Sequence, residues 1–330
     1  MRQGRRLRAA AGLGAAASLA LAACGGAAPH PARRATRAAA SAATATRAAA
    51  STATPASTVP APKPPPPAFP RLLPAATGTG PTPFVPAVSW RGRTAAWVAR
   101  TPSGVTLLSF NQRLVELHLH SGTIDAGTLG WRYGPSIGGG ERRGLVAAFN
   151  GGFRFSTGAG GFMAYGRVGY PLHYGLGSIV TYADGTTDIG SWHQEVPAPG
   201  HRVVSVRQNL SLLIDHGTAS NIGCLSCWGT TLGGVVDPAR SALGITADGR
   251  LIWAGGEHLT VAELAAALQG ARVQRAVELD INPEWVAAYL YAHHGAGAPP
   301  QPVPALADQH GIPGEYLTPW GRDFFSVAAR

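Results

Sequence analysis

The 330-residue chain has few acidic groups near its start, few cysteines and no long apolar run after its first 23 residues. Residues 1–80 contain ten Lys or Arg and no Asp or Glu, whereas residues 81–330 contain seventeen Arg and seventeen Asp or Glu. The net charge of +10 therefore belongs to the N-terminal region, and the formally neutral remainder gives no reason to expect nucleic-acid binding. The basic region is suited instead to anionic lipid or wall polymer.

The first 24 residues have the pattern of an export signal. Four arginines within the first eight residues precede an Ala-rich apolar segment, residues 9–23, which is too short to span a bilayer. The segment ends in Leu21-Ala22-Ala23-Cys24, a sequence that matches a bacterial lipobox. We predict a signal peptide over residues 1–23 and lipidation at Cys24, which places the protein at the outer face of the bacterial cytoplasmic membrane. The alternative is an ordinary secretory peptide with an incidental cysteine.

Large apolar residues are almost absent from residues 25–82, which consist mainly of Ala, Pro, Thr, Ser and Arg. Such a composition cannot bury enough surface to offset the entropy lost on ordering. We therefore predict that residues 24–82 form a disordered linker that tethers one folded domain, residues 83–330. That domain is long enough to bury a sizeable core.

The composition of the domain favours short strands over a helical bundle, because Gly is abundant beside Val, Ile, Leu and Trp. We predict an α+β fold, a strand-rich mixed-sheet domain with few helices. Its one clear helix spans 261–270, since Thr260 and Glu263 form a capping box and Gly270 ends the apolar stripe. The tail beyond residue 295 is predicted to wrap the surface. Strands are predicted over residues 94–100, 105–110, 115–119, 145–149, 163–168, 177–182, 187–192, 202–206, 210–214, 241–247, 250–254 and 275–280.

Two further patterns have both structural and functional interpretations. His118 and His120 share one face of a strand, where a solvated surface is the better interpretation because no third metal ligand is nearby. Cys224 and Cys227 are separated by two residues, a spacing that outside the cell favours a structural disulfide. A zinc half-site would need partners that the sequence does not place, and a thiol oxidoreductase would need a helix after the first cysteine.

Two carboxylates end the last predicted strand of this region. Residues two apart in a strand lie about 6.5–7 Å apart on the same face, so Glu278 and Asp280 are expected to project together while their neighbours enter the core. Such a pair can serve as acid and base or can bind a divalent cation such as calcium. Surface strands often carry similar pairs without a function.

Two other segments carry groups that suit a sugar phosphate. Arg240 and Ser241 open a strand, and the planar donors of an Arg match two phosphate oxygens. Asn150, Gly151 and Gly152 follow a short apolar strand, where glycines allow close backbone approach to a ligand. The structural alternatives are an ion-paired surface Arg and an Asn-Gly sequence that only builds a turn.

Taken in order, these segments resemble the phosphodiester glycosidase family over residues 140–292. The resemblance implies catalytic roles for Asp280, Glu278 and Arg240, and substrate binding by Asn150, Gly151, Gly152 and Ser241. The family has a Gly run after its Leu-Asp, whereas this chain has Ile281-Asn282-Pro283, so Asn282 is expected to supply a polar group instead. The resemblance also places Gly161 and His173 near substrate-side loops.

The resemblance predicts a hydrolase that cleaves a sugar from a sugar-1-phosphodiester, such as a glycan phosphate or cell-wall polymer. The alternative is a lipid-anchored binding protein for wall glycans that uses the same cleft without turnover. The replaced Gly run keeps this alternative open. A third possibility, a scaffold stabilised by the disulfide, has no positive support in the sequence.

Overall fold

Three antiparallel sheets and one α-helix form the regular structure in the computed structural model, which describes residues 83–127, 130–229, 234–235, 237–294 and 298–330. All of these residues belong to one compact unit, and none of their helices is long and apolar enough to cross a membrane. The predicted signal peptide, the lipidated Cys24 and the tether lie outside the described residues. The strand-rich α+β prediction is confirmed.

The helix α1 spans Val261–Gly270. The strands, in chain order, are β1 (Val85–Trp90), β2 (Arg93–Arg100), β3 (Thr106–Asn111), β4 (Val115–His120), β5 (Leu145–Asn150), β6 (Phe162–Ala164), β7 (Arg167–Tyr170), β8 (Gly177–Tyr182), β9 (Thr187–Ser191), β10 (Val203–Gln208), β11 (Leu212–Asp215), β12 (Thr218–Ala219), β13 (Arg240–Thr246), β14 (Arg250–Gly256), β15 (Val273–Glu278), β16 (Ala288–Ala292), β17 (Gln301–Pro304) and β18 (Phe324–Ala329).

The largest sheet has eight strands in the order β1-β2-β3-β14-β13-β15-β11-β12. Its central hairpin, β13–β14, turns at Asp248-Gly249, where Gly249 takes the left-handed conformation (φ 79°) that a tight turn requires. Helix α1 packs on one face of this sheet through its apolar stripe. Both hydrogen bonds of the predicted capping box are present, between Thr260 and Glu263.

Two five-stranded sheets complete the domain, in the orders β7-β6-β10-β8-β9 and β17-β16-β5-β18-β4. The main core draws residues from all three sheets, among them Phe149, Phe162, Leu243 and Phe325. The burial of these four side chains is complete or nearly so (0–1% exposed). The core therefore holds the three sheets together.

The C-terminal segment differs from its prediction as a surface wrap. Strand β18 lies inside its sheet, paired with β5 on one side and β4 on the other. Its five residues from Phe324 to Ala328 are all buried. A strand buried on both faces shows a continuous apolar run, so it lacks the alternation by which strands are recognised in sequence.

One predicted strand, residues 163–168, is a hairpin. Strands β6 and β7 are separated by Tyr165 and Gly166, and both residues have positive φ (52° and 76°). Two such residues in succession form the tight turn that suits the twist of paired strands. The turn was not predicted because a tyrosine rarely adopts the left-handed conformation that Tyr165 has here.

The fold brings the predicted site residues to one place. Phe324 pairs with Asn150 between β18 and β5, and Ala242 pairs with Glu278 between β13 and β15. The Asp280 N–H donates to the Gly151 carbonyl at 3.3 Å, which joins the end of β15 to the turn after β5. The end of β5, the start of β13, the end of β15 and the start of β18 therefore converge.

Candidate functional site

Arg240 and Glu278 form a buried hydrogen-bonded pair at the convergence. Arg240 Nη1 lies 2.6 Å from Glu278 Oε1, and the two residues are 3% and 0% exposed. The guanidinium also donates from Nε to the Leu259 carbonyl (2.9 Å) and from Nη1 to the Trp228 carbonyl (3.1 Å). These contacts engage Nε and Nη1 of the Arg240 guanidinium within the protein.

The second carboxyl oxygen of Glu278, Oε2, is buried and has no hydrogen-bond partner among the described residues. Burial raises the pKa of Glu278 to about 8, against the opposing effect of Arg240. A proton on Oε2 is therefore favoured at neutral pH. Such a carboxylic acid has the protonation state that a general acid requires.

Asp280 is held by three donors. Its Oδ1 accepts from the N–H groups of Ile281 (2.8 Å) and Asn282 (3.0 Å), and its Oδ2 accepts from Arg322 Nη2 (3.0 Å). Burial nevertheless raises the pKa of Asp280 above its ordinary value, with Arg322 opposing the shift. Both oxygens already bind donors and a cationic side chain is adjacent, so this carboxylate does not fit a calcium ion.

Arg322 is a site residue that the sequence analysis missed. It donates to the Gly152 carbonyl (2.9 Å) as well as to Asp280, and its Nε contacts Asp125. Its Nη1 is buried and has no hydrogen-bond partner among the described residues. The only sequence signal was an Arg-Asp pair directly before an apolar run, in a segment expected to lie on the surface.

Asn150 and Ser241 form a hydrogen-bonded chain that leads to Asp280. Asn150 Nδ2 donates to Ser241 Oγ (2.9 Å), and that hydroxyl donates to the Asp280 carbonyl (3.0 Å). Asn150 is 4% exposed, and its Oδ1 is buried without a hydrogen-bond partner among the described residues. The fold thus brings these residues into contact, although they are up to 130 positions apart in the chain.

The two glycines after Asn150 permit close packing. A Cβ on Gly151 would lie 2.2 Å from Asp323 Oδ2, and one on Gly152 would lie 2.0 Å from Asn209 Oδ1. Asp323 is buried and paired with Arg207 (Nε to Oδ2 2.7 Å, Nη2 to Oδ1 3.2 Å). This third buried Arg–carboxyl pair, also absent from the sequence analysis, therefore packs against the glycine turn.

The remaining predicted residues lie at the edge of this group. Gly161 accepts from the Gln208 N–H (2.9 Å), and the exposed His173 exchanges backbone hydrogen bonds with the Gln208 side chain. Neither has a described contact with Asp280. Asn282 uses its side chain to accept from the Glu284 N–H (3.0 Å), so it builds a turn beside the carboxylate.

The predicted disulfide between Cys224 and Cys227 is present, and it closes a short turn over the site. The turn ends in the buried Trp228, whose carbonyl accepts from Arg240. Beyond it, a Cβ on Gly229 would lie 2.8 Å from Phe153 and 2.9 Å from Ile281, so the chain passes directly over both. We call residues 221–229 the cover.

The His118 and His120 face is not solvated, contrary to expectation. Glu141 Oε1 lies 3.0 Å from His118 Nδ1 and 3.1 Å from His120 Nε2, and Glu116 Oε1 lies 3.0 Å from His118 Nε2. The two imidazoles are 12% and 1% exposed. Both ring nitrogens of His118 are thus engaged in a hydrogen-bonded network.

Comparison with known proteins gives limited information. No protein-family model and no curated protein matches the chain. A solved structure of the zebrafish N-acetylglucosamine-1-phosphodiester alpha-N-acetylglucosaminidase catalytic domain, auto-inhibited by its pro-peptide, is 15% identical (76% of this chain, 81% of that chain, TM-score 0.41). A hypothetical protein from Synechocystis is 14% identical (76% of this chain, 61% of that chain, TM-score 0.36).

Proposed function

We propose that the protein is an extracytoplasmic, lipid-anchored hydrolase that cleaves a sugar from a sugar-1-phosphodiester, such as a glycan phosphate or cell-wall polymer. The observation that carries this proposal is the convergence of two buried Arg–carboxyl pairs, Arg240–Glu278 and Arg322–Asp280, beside the Asn150 turn. The ordered resemblance of residues 140–292 to the phosphodiester glycosidases supports the same activity.

Two buried atoms at the convergence have no hydrogen-bond partner among the described residues, and a substrate could supply a partner for each. Arg322 Nη1 is a charged donor, which suits a phosphate oxygen, and Asn150 Oδ1 is an acceptor, which suits a sugar hydroxyl. An unsatisfied buried polar atom is costly, so a ligand that pairs with both gains affinity from them. Arg240 would add a second charge to the phosphate side.

The two carboxyl groups have different surroundings, which suits two different roles. Burial raises the pKa of Glu278, which favours a proton on Oε2, and Glu278 would deliver that proton towards the departing phosphate oxygen. Asp280, oriented by Arg322 and two N–H groups, would act on the sugar side, where it activates water or stabilises the oxocarbenium-like transition state. Because a phosphate is a good leaving group, the acid contributes less than in an ordinary glycosidase.

Substrate access requires a movement. Arg240, Glu278, Asp280 and Asn150 are each at most 5% exposed. The cover contributes the Trp228 carbonyl to Arg240, so its displacement would both open the site and free a guanidinium donor for phosphate. The proposed function therefore requires that the cover opens before the substrate binds.

The alternative of a non-catalytic binding protein is favoured by one observation. The strongest donor, Arg240, is already satisfied by Glu278 and two carbonyls, as in a structural pair. In this alternative the same wall glycans bind without bond cleavage.

The proposal is tested by incubating the full-length protein with a panel of sugar-1-phosphodiesters, with and without calcium, and measuring released sugar. Turnover that is lost in Asp280→Asn and Arg240→Ala and kept in the exposed-surface control Arg202→Ala supports the hydrolase. Binding of the same compounds without release from any of them supports the binding protein instead.

A further inference from the structure

We propose that a first-row divalent cation of the zinc class binds between Glu195, Asp215 and His216, away from the convergence of Arg–carboxyl pairs. One ligand atom from each residue lies within 4.8 Å of the other two. Within the described part of the chain, this is the group of three such residues whose geometry could hold a metal ion. The inference does not depend on the proposed hydrolase.

The separations between the three ligand atoms suit a shared ion. His216 Nε2 lies 3.7 Å from Asp215 Oδ1 and 3.9 Å from Glu195 Oε1, too far for direct hydrogen bonds. Ligand atoms about 2.0–2.1 Å from a tetrahedral zinc are roughly 3.4 Å apart. Two of the three separations lie within about half an ångström of that value and the third is at most 4.8 Å, and the His216 side chain is 85% exposed.

Each of the two carboxylates has an oxygen that could bind a cation. The Ser191 N–H donates to Glu195 Oε2 at 2.9 Å, which orients the carboxylate and leaves Oε1 for a ligand bond. The Asp215 side chain is 46% exposed, but its Oδ1 atom is turned inwards and has no hydrogen-bond partner among the described residues. A cation would satisfy this oxygen.

One positive charge lies close by, on Arg275. Its Nη1 is 3.7 Å from Glu195 Oε1, whereas its Nη2 forms the shorter contact, 2.8 Å, with Asp188. Arg275 therefore forms its main ion pair with Asp188 and not with Glu195. Two carboxylates and a neutral imidazole remain to balance a divalent ion.

The ligand chemistry selects the cation. Calcium and magnesium take oxygen ligands almost exclusively, whereas an imidazole nitrogen favours zinc and its neighbours. Three protein ligands leave a fourth position open on zinc. His216 also lines a surface cleft of about 630 Å³, together with Asp188, Arg275 and Tyr182.

The proposed ion would connect two sheets. Glu195 follows β9 in one five-stranded sheet, and Asp215 ends β11 in the eight-stranded sheet. An ion that binds only the folded arrangement stabilises it by mass action. Metal binding should therefore raise the melting temperature as well as release heat.

The test is calorimetric titration of the metal-free full-length protein with zinc chloride, alongside the variants His216→Asn and Asp215→Asn. Asparagine suits position 216 because it tolerates the left-handed backbone found there (φ 46°). We expect the wild type to bind one more zinc than either variant, or to bind it more than about 10-fold tighter. Calcium chloride is expected to show no such difference.

The matched control is His201→Asn. His201 lines the same cleft and lies 3.7 Å from Asp184, but within the described part of the chain this pair has no third ligand close enough to share an ion. The control is expected to bind zinc as the wild type does and to show the same rise in melting temperature. Equal zinc binding by the wild type and His216→Asn, or no binding by the wild type, would overturn the proposal.

Discussion

Arg322 joins the Asp280 carboxylate to the backbone of the glycine turn, because one nitrogen, Nη2, donates to Asp280 Oδ2 at 3.0 Å and to the Gly152 carbonyl at 2.9 Å. Arg322 and Asp280 are 42 positions apart: Asp280 follows β15 of the eight-stranded sheet, and Arg322 precedes β18 of a five-stranded sheet. The orientation of the proposed catalytic carboxylate therefore depends on a residue near the C-terminus.

Replacing Arg322 by Lys should lower turnover and stability even though the positive charge is kept. A lysine keeps the charge but cannot reproduce the fork that reaches Asp280 and Gly152 and presents Nη1. We expect the turnover number to fall at least about 10-fold and the free energy of unfolding to fall by about 1–3 kcal/mol. Steady-state kinetics and denaturant unfolding measure these effects. Unchanged turnover in Arg322→Lys, with the exposed Arg202→Lys as reference, would remove Arg322 from the site.

The titration of Glu278 should appear in the pH dependence of stability. Its pKa is raised by burial from 4.5 to about 8, so the folded state binds a proton that the unfolded state has released between these values. The stability that this proton contributes is fully present below about pH 4.5 and is lost as pH rises through about 8. Wild-type stability should therefore fall more steeply with pH across this window than that of Glu278→Gln, by up to roughly 1.4 kcal/mol per pH unit.

The control for this measurement is Glu315→Gln. Burial raises the pKa of Glu315 to about 7, so its titration affects stability in the same direction. Glu315→Gln should remove only the contribution of Glu315 to the slope of the unfolding free energy against pH. The contribution of Glu278 should remain. Equal slopes for the wild type and Glu278→Gln would show that Glu278 is ionised in the folded protein.

A methyl group on the glycine turn should be poorly tolerated. In Gly152→Ala the new Cβ would lie 2.0 Å from the Asn209 amide, which itself accepts from the Phe153 N–H. We expect a loss of about 1–3 kcal/mol in the free energy of unfolding. The control is Gly138→Ala, where no atom lies within 4 Å of the new Cβ and φ is not in the left-handed range. Similar stability of the two variants would contradict the close packing.

The cover should loosen when its disulfide is removed. In the double variant Cys224→Ser/Cys227→Ser the turn loses its cross-link, and the small size of the ring limits the loss of stability to about 2 kcal/mol. We expect faster amide hydrogen exchange over residues 221–229. Ser226→Ala, in the same turn, should exchange as the wild type does. Unaltered exchange in the double variant would mean that packing of Trp228, and not the disulfide, fixes the cover.

Local patterns in the sequence predicted the central part of the fold well. The strands on either side of Asp248-Gly249 and the Thr260–Glu263 capping box each depend on residues close together in the chain, whereas the strand predicted over 275–280 spans Val273–Glu278. The grouping of Asn150, Ser241 and Asp280 came from the ordered resemblance, and their contacts agree with it.

Long-range relationships were not predictable in the same way. Nothing local indicates that Arg240 is satisfied by Glu278 and by the Trp228 carbonyl, or that Arg322 reaches Asp280. Strand β18 was missed because burial on both faces removes the alternation of apolar and polar residues. Nothing local indicates, either, that backbone N–H groups and Arg322 donate to both carboxylate oxygens of Asp280.

The central claim, cleavage between the sugar and the phosphate, is tested most directly by hydrolysis of a sugar-1-phosphodiester in water enriched with oxygen-18. The products are separated, and the label is located by mass spectrometry. A glycosidase adds the water oxygen to the sugar carbon. If the protein is a glycosidase, we therefore expect label in the free sugar and none in the phosphomonoester. Label in the phosphate would show attack at phosphorus and would contradict the roles given to Asp280 and Glu278.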